Sequence, residues 1–222
     1  MAYVQSAQLN TSGTSAALAY VSNNTVNNLL LLAVRVGSAS DILTSVTDSA
    51  GNTWTLAKKQ TFSGDHFFYV YYMGACLAGA NTVTVSVSSS VTIRLAILEY
   101  NDFAAGGAAL DQVNSAQGTS NAPNSGNITT TVATELLFCG VSISTASGFT
   151  AGTNFTVREE VALKISTEDR AVTSIGTYSG SWTIDLGSDS WACIIATFMA
   201  AATITRVSST IILNAVQRAA NW

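Results

Sequence analysis

Short apolar runs, separated by Gly, Asn, Asp and Ser, recur along this chain from one end to the other. Segments 16–21, 29–36, 42–47, 53–58, 67–73, 82–87 and 93–100 are rich in Val, Thr, Tyr, Leu and Ile and read as β-strands. Segments 127–132, 136–144, 155–158, 161–165, 171–175, 182–186 and 191–198 continue the pattern. Thr82-Val83-Thr84-Val85-Ser86-Val87 alternates strictly, so one face of that strand should meet water. Leu29-Leu30-Leu31-Leu32-Ala33-Val34 does not alternate, which predicts a central strand covered on both faces.

The pattern is used twice. Val4-Gln5-Ser6-Ala7-Gln8 returns as Val113-Asn114-Ser115-Ala116-Gln117, and the run from Leu29 to Val36 returns as Leu136 to Ile143. Ala50-Gly51-Asn52-Thr53-Trp54-Thr55-Leu56 returns as Ala151-Gly152-Thr153-Asn154-Phe155-Thr156-Val157, and Leu95 to Tyr100 returns as Cys193 to Phe198. Matches in the same order imply a duplicated unit. Each copy has about seven strands in about 100 residues, the size of one β-sandwich. The expected fold is all-β, with two tandem, sequence-related antiparallel sandwiches over residues 1–103 and 104–201. One duplicated jelly roll is the alternative. Residues 202–222 form an unmatched extension. Its Ile211, Ile212, Leu213, Val216 and Trp222 are too apolar for a free tail. It either covers an open end of its own sandwich or docks on a neighbouring subunit.

Composition narrows the environment. Of 222 residues 48% are hydrophobic but only 10% are charged, and Lys58, Lys59 and Lys164 are the sole lysines. Such a surface must be built from Ser, Thr, Asn and Gly, which suits extracellular or particle-exposed proteins and close packing against other copies. A net charge of −4 with no basic cluster argues against nucleic-acid binding. No apolar run approaches the ~20 residues of a membrane helix. The residues Met1 to Ser6 show no basic region followed by an apolar stretch, so no secretory leader is read there. Cys139 and Cys193 replace Leu32 and Leu95 of the other copy, which points to buried thiols. A bridge between facing sheets is the alternative, and Cys76 is left over either way.

No candidate chemistry assembles from spacing alone, and neither a metal nor another cofactor is expected. His66 is the only histidine, so a Ser-His-Asp relay would have to use it. Its place reads as a loop or strand edge. Glu159-Glu160 and Glu168-Asp169 are adjacent acids, which face opposite sides of a strand and cannot flank one bond together. Glu99, an acid inside an apolar strand, matches Thr197 in the other copy and should be paired, by Arg35 or Arg94, or lie on an exposed face. Asp48-Ser49-Ala50-Gly51-Asn52 lacks the ligand spacing of a Ca²⁺ loop and reads as a hairpin turn. The strand holding Phe67, Phe68, Tyr69, Tyr71 and Tyr72 is the best lead. Tyr69, Tyr71 and Tyr72 could form a sugar-stacking platform, unless they are core.

The motifs Asn28-Leu29-Leu30-Leu31-Leu32-Ala33-Val34, Ser45 to Leu56, Leu95-Ala96-Ile97-Leu98-Glu99-Tyr100, Thr167-Glu168-Asp169-Arg170 and Trp191 to Phe198 together resemble a broad group of β-sandwich modules. These modules, of Ig-like or jelly-roll type, occur in bacterial surface proteins and in virion structural proteins of tailed phages. The resemblance spans residues 3–200, implies fold more than function, and carries over no site residues. It suggests a non-enzymatic virion protein, a capsid decoration or tail or fibre component, forming homo-oligomers and contacting other virion proteins. A carbohydrate-binding or adhesin module at the cell surface, touching host glycans, is the alternative.

Overall fold

A computed structural model describes residues 1–62, 64–103 and 107–200. Among these residues there is no helix, and the ordered elements are antiparallel strands. The extension and its five apolar residues, Ile211, Ile212, Leu213, Val216 and Trp222, lie outside the described residues.

The first copy contributes β1 (Ala2–Ala19), β2 (Leu29–Val36), β3 (Leu43–Asp48), β4 (Thr55–Phe62), β5 (His66–Met73) and β6 (Thr82–Asn101). Its main sheet has the order β1-β6-β2-β5-β4, and β3 joins the first part of β6. The second copy contributes β7 (Ala108–Ser120), β8 (Ile128–Thr129), β9 (Thr134–Ile143), β10 (Phe149–Ala151), β11 (Thr156–Val161) and β12 (Ile165–Thr173). It is completed by β13 (Thr177–Tyr178), β14 (Trp182–Ile184) and β15 (Asp189–Ala200). Its main sheet runs β7-β15-β9-β12-β11, which is the first order repeated strand for strand. Short pairs, β10 with β14 and β13 with β8, lie outside that sheet. The isolated bridges Asn24–Gly79 and Asn124–Ser181 also correspond between the copies.

Strand alternation then builds three apolar layers. Leu30, Leu32, Val34, Tyr69, Leu95 and Ile97 point away from the second copy and pack with Val83, Val85 and Val46. Cys139, Val141, Cys193 and Ile195 point outward from the other sheet, against Trp182, Ile184 and Ile128. Each copy is therefore a small sandwich with its own outer layer. The inner faces meet each other: Leu29, Leu31, Phe68, Val70 and Leu98 join Leu136, Phe138, Ile165, Ile194 and Phe198 in one cluster. That is why β2 from Leu29 to Val34 and β9 from Leu136 to Cys139 are apolar on both faces: each is buried between two layers.

Close approach of the sheets depends on small residues. A Cβ on Gly140 would lie 2.7 Å from the Phe68 ring, so the ring of the first copy occupies the space that glycine leaves in the second. Ala33, Ala96, Ala192 and Ala196 share this layer. Polar contacts close its rims. Arg158 lies 4.3 Å from the Tyr3 ring centroid and bonds Asp169 at 2.7 and 3.0 Å. Ser6 donates to Glu159, Ser115 to Gln60 at 2.7 Å, and the Ala108 amide to the Gly74 carbonyl at 2.7 Å.

Several boundaries differ from expectation. Segments 82–87 and 93–100 form one strand of 20 residues that serves both layers. The segment 161–165 is a turn, with Ala162 and Leu163 at φ of 51° and 53°, joining β11 to β12. The strands β10 and β13 carry no long apolar run. The turn after Asp48 forms as expected, with Gly51 at φ 83° and the Asn52 amide 2.9 Å from Asp48 Oδ1. It does not close a hairpin, because β3 pairs with β6 while β4 pairs with β5.

Candidate functional site

The tyrosine strand is placed by its pairing between β2 and β4. Alternation sends Phe68, Val70 and Tyr72 toward the second copy, and Phe67, Tyr69 and Tyr71 toward the outer layer of the first. Tyr72 sits 5.4 Å from the Phe198 ring in the interface between copies. Tyr69 is 2% exposed, and its hydroxyl donates to Asp41 at 2.5 Å. Burial, then the bond to Asp41, raises its pKa, so it remains a neutral phenol. Tyr71 is half-buried, 6.3 Å from Tyr69 in a stacked ladder with Phe67. The three tyrosines thus do not share a solvent-facing platform. Two of them are fold residues, and period-two geometry in a strand covered on both faces is the reason.

Glu99 is fully buried and is satisfied by neither Arg35 nor Arg94. Its carboxylate accepts from Gln5 at 2.5 Å, Asn24 at 2.8 Å, Asn28 at 2.6 Å and the Thr25 amide at 2.9 Å. Four donors use its lone pairs and pin residues 22–28 across the end of the sheet. The first copy's Asn and Gln richness was the signal for this cradle, but the donors lie far apart in sequence. The second copy does the same job differently. Thr197 accepts from the Gln112 amide at 3.1 Å, while Asp111 takes the Thr131 amide at 2.8 Å and Glu135 takes the Val132 amide at 3.2 Å.

Glu168 is a second enclosed acid, register-paired with Cys139 and turned toward the outer layer. Burial raises its pKa to about 7, although the Gly152 and Ser181 amides donate to it at 2.9 and 3.3 Å. Its neighbour Asp169 faces the opposite way and is held by Arg158. The separation of the two acids follows the expected alternation, so they cannot act on one bond. Cys139 and Cys193 are free and buried, as is Cys76. They lie on one sheet rather than on facing sheets: Cys139 pairs with Ile195 and Cys193 with Val141. Such diagonal neighbours have Cα atoms roughly 7–8 Å apart, beyond ordinary disulfide reach.

His66 begins β5 and is fully buried rather than at an exposed edge. Burial, then the nearby Arg35 charge, lowers its pKa to about 4. Its Nδ1 lies 2.9 Å from Asp65 Oδ2, and Ser144 donates to that same oxygen at 2.5 Å. The carboxylate therefore stands between serine and imidazole. A serine nucleophile requires the imidazole in that middle place, so this trio does not form the hydrolytic relay. Among the described residues no group of three His, Cys, Asp or Glu side chains could hold a metal ion. No helix there is long and apolar enough to cross a membrane.

No protein-family model, curated protein or solved structure matches this chain.

Proposed function

We propose that this chain is a non-enzymatic structural protein of a tailed-phage virion, a capsid decoration or tail or fibre component that works by assembling with protein partners. The observation that carries the reading is an apolar corner on an otherwise ion-poor exterior. Val21, Val26 and Leu77 are exposed by 79%, 52% and 51% on two loops. Backbone bonds from Asn24 to Gly79 and from Asn27 to Cys76 stitch those loops together. Burying Glu99 beneath the first loop fixes the corner's shape at the cost of an acid that could otherwise face solvent. A rigid loop that presents aliphatic side chains lowers the ordering cost of association.

The apolar extension is assigned to the same role, at a neighbouring subunit. Measuring native mass by light scattering across a concentration series tests the reading, alongside binding to purified phage particles. Rings, trimers or particle binding that weaken in Val21→Asp and Leu77→Asp support it. A monomer at every concentration that also ignores particles removes it. The carbohydrate-binding reading keeps Tyr71 and Tyr72 as half-buried rings, and they lie on opposite faces of the strand, which is a narrower basis than three tyrosines on one platform.

A further inference from the structure

Three of the nine lysines and arginines meet at one end of the interior between the two copies. Arg35 on β2 is the register partner of Arg94 on β6, and both share the inner face with Ala33 and Ala96. Lys164 comes from the β11–β12 turn of the other copy, close enough for both guanidinium groups to act on its charge. Like charges directly opposite on neighbouring strands are destabilising. The duplicated fold does not need them: the second copy has Ser142 and Ala192 at the corresponding positions, also register partners and fully buried.

Acid groups offset this charge only in part. Asp65 reaches Arg35 only at 3.4 Å and is shared with His66 and Ser144. Asp189, the other nearby acid, accepts from the Thr145 amide at 2.7 Å. Four enclosed polar atoms here lack a partner: Nε of Arg35, Nε of Arg94, Nε2 of His66 and Oγ of Ser142. His66 and Ser142 are fully buried and Arg35 is 5% exposed, whereas Asp65, Ser144 and Lys164 stand at the rim. A buried polar group left unpartnered costs about 1–3 kcal/mol, a cost that a guest with matching donors and acceptors would remove.

The donors and acceptors define that guest. Two arginines and a lysine call for oxyanion oxygens, and the guanidinium fork suits phosphate geometry. His66 is neutral and its Nδ1–H donates to Asp65, which leaves Nε2 as an acceptor that asks for an O–H. We propose that Arg35, Arg94, Lys164, His66 and Ser142 form a binding site for a protonated phosphate group. Hydrogen phosphate offers both oxyanion oxygens and a hydroxyl, whereas sulfate at neutral pH offers only the former.

Titrating the full chain with inorganic phosphate, sulfate and phosphoserine at matched ionic strength, against chloride, tests the site by calorimetry. Saturable phosphate binding that exceeds sulfate is expected. Arg94→Ala should weaken it by about tenfold through loss of charge-assisted bonds, and Lys59→Ala should leave it unchanged. Phosphoserine binding as well would assign the site to phosphate esters, and its exclusion would assign it to the free ion. Because His66 is the only histidine, its ring resonances in the unaltered protein give a second readout. They should shift with phosphate at the same midpoint, even if Arg94→Ala fails to fold. Sulfate binding as tightly as phosphate, saturation by none of the three, or a silent His66 overturns the proposal.

Discussion

The two copies share a strand order, yet they finish their sandwiches by different means. In the first, two long strands, β1 and β6, serve both the main sheet and the outer layer, with breaks in register near Gly13 and Ser15. In the second, the counterpart of β6 is divided into β14 and β15, and the outer layer is made of two-stranded pairs. Buried acids diverge in parallel. Glu99 organises the first copy where the second has Thr197, whereas Glu168 is enclosed only in the second. The inner faces show a different relation. Ala96 and Leu98 of the first correspond to Ile194 and Ala196 of the second, so large stands where the other is small. Duplication thus preserved topology, the contact between copies fixed complementary sizes, and the outer layers were free to change.

The contact between copies breaks most readily at Phe68. Phe68→Ala should cost about 3–5 kcal/mol in urea unfolding, because Gly140 has no side chain to collapse into the void. Gly140→Val should be comparably damaging, and an unchanged midpoint for both would separate the copies energetically.

Glu99 sharpens the difference in polar organisation. Glu99→Ala orphans four donors and should cost at least ~3 kcal/mol, while Thr197→Val should cost about 1 kcal/mol. Equal losses would refute the division of labour.

The second copy should also titrate differently. Glu168 has a folded pKa of about 7, above the ordinary value of 4.5, so its protonated form favours folding. That contribution is complete below about pH 4.5 and is lost as pH rises through about 7, amounting to about 3 kcal/mol. Glu168→Gln should flatten the stability profile across that window, as measured by denaturant midpoints. Thr197→Val should leave the slope intact.

Truncating the half-buried tyrosines of β5 gives the smallest effects. Half-buried Tyr71→Ala and Tyr72→Ala should each cost about 1 kcal/mol, against about 3 kcal/mol for buried Tyr69→Ala. A glycan that protects Tyr71 from chemical modification would reopen the carbohydrate reading.

Much of this was legible in the sequence. Period-two patterning and apolar runs located β2, β5, β9 and β15, and the internal repeat announced a shared strand order. Turn chemistry at Asp48 and Gly51 was also readable, because local hydrogen bonding and backbone sterics decide it. The pairing that follows the turn was not, since β3 and β4 join different partners far away in the chain. Exposure of Tyr69, Tyr71 and Tyr72 was equally undecidable from alternation, which states that neighbours part but not whether both sides are covered.

The amino-acid order by itself determined a duplicated, all-strand chain with few ions, because hydrophobic period and local conformational preference are properties of neighbouring residues. Tertiary structure alone decided that the copies meet face to face, that Phe68 enters the space above Gly140, and that Arg35, Arg94 and Lys164 converge. Those outcomes depend on the stacking of sheets, which brings residues over a hundred positions apart, such as Arg35 and Lys164, within reach of each other's charge. No local pattern encodes which face will find which partner.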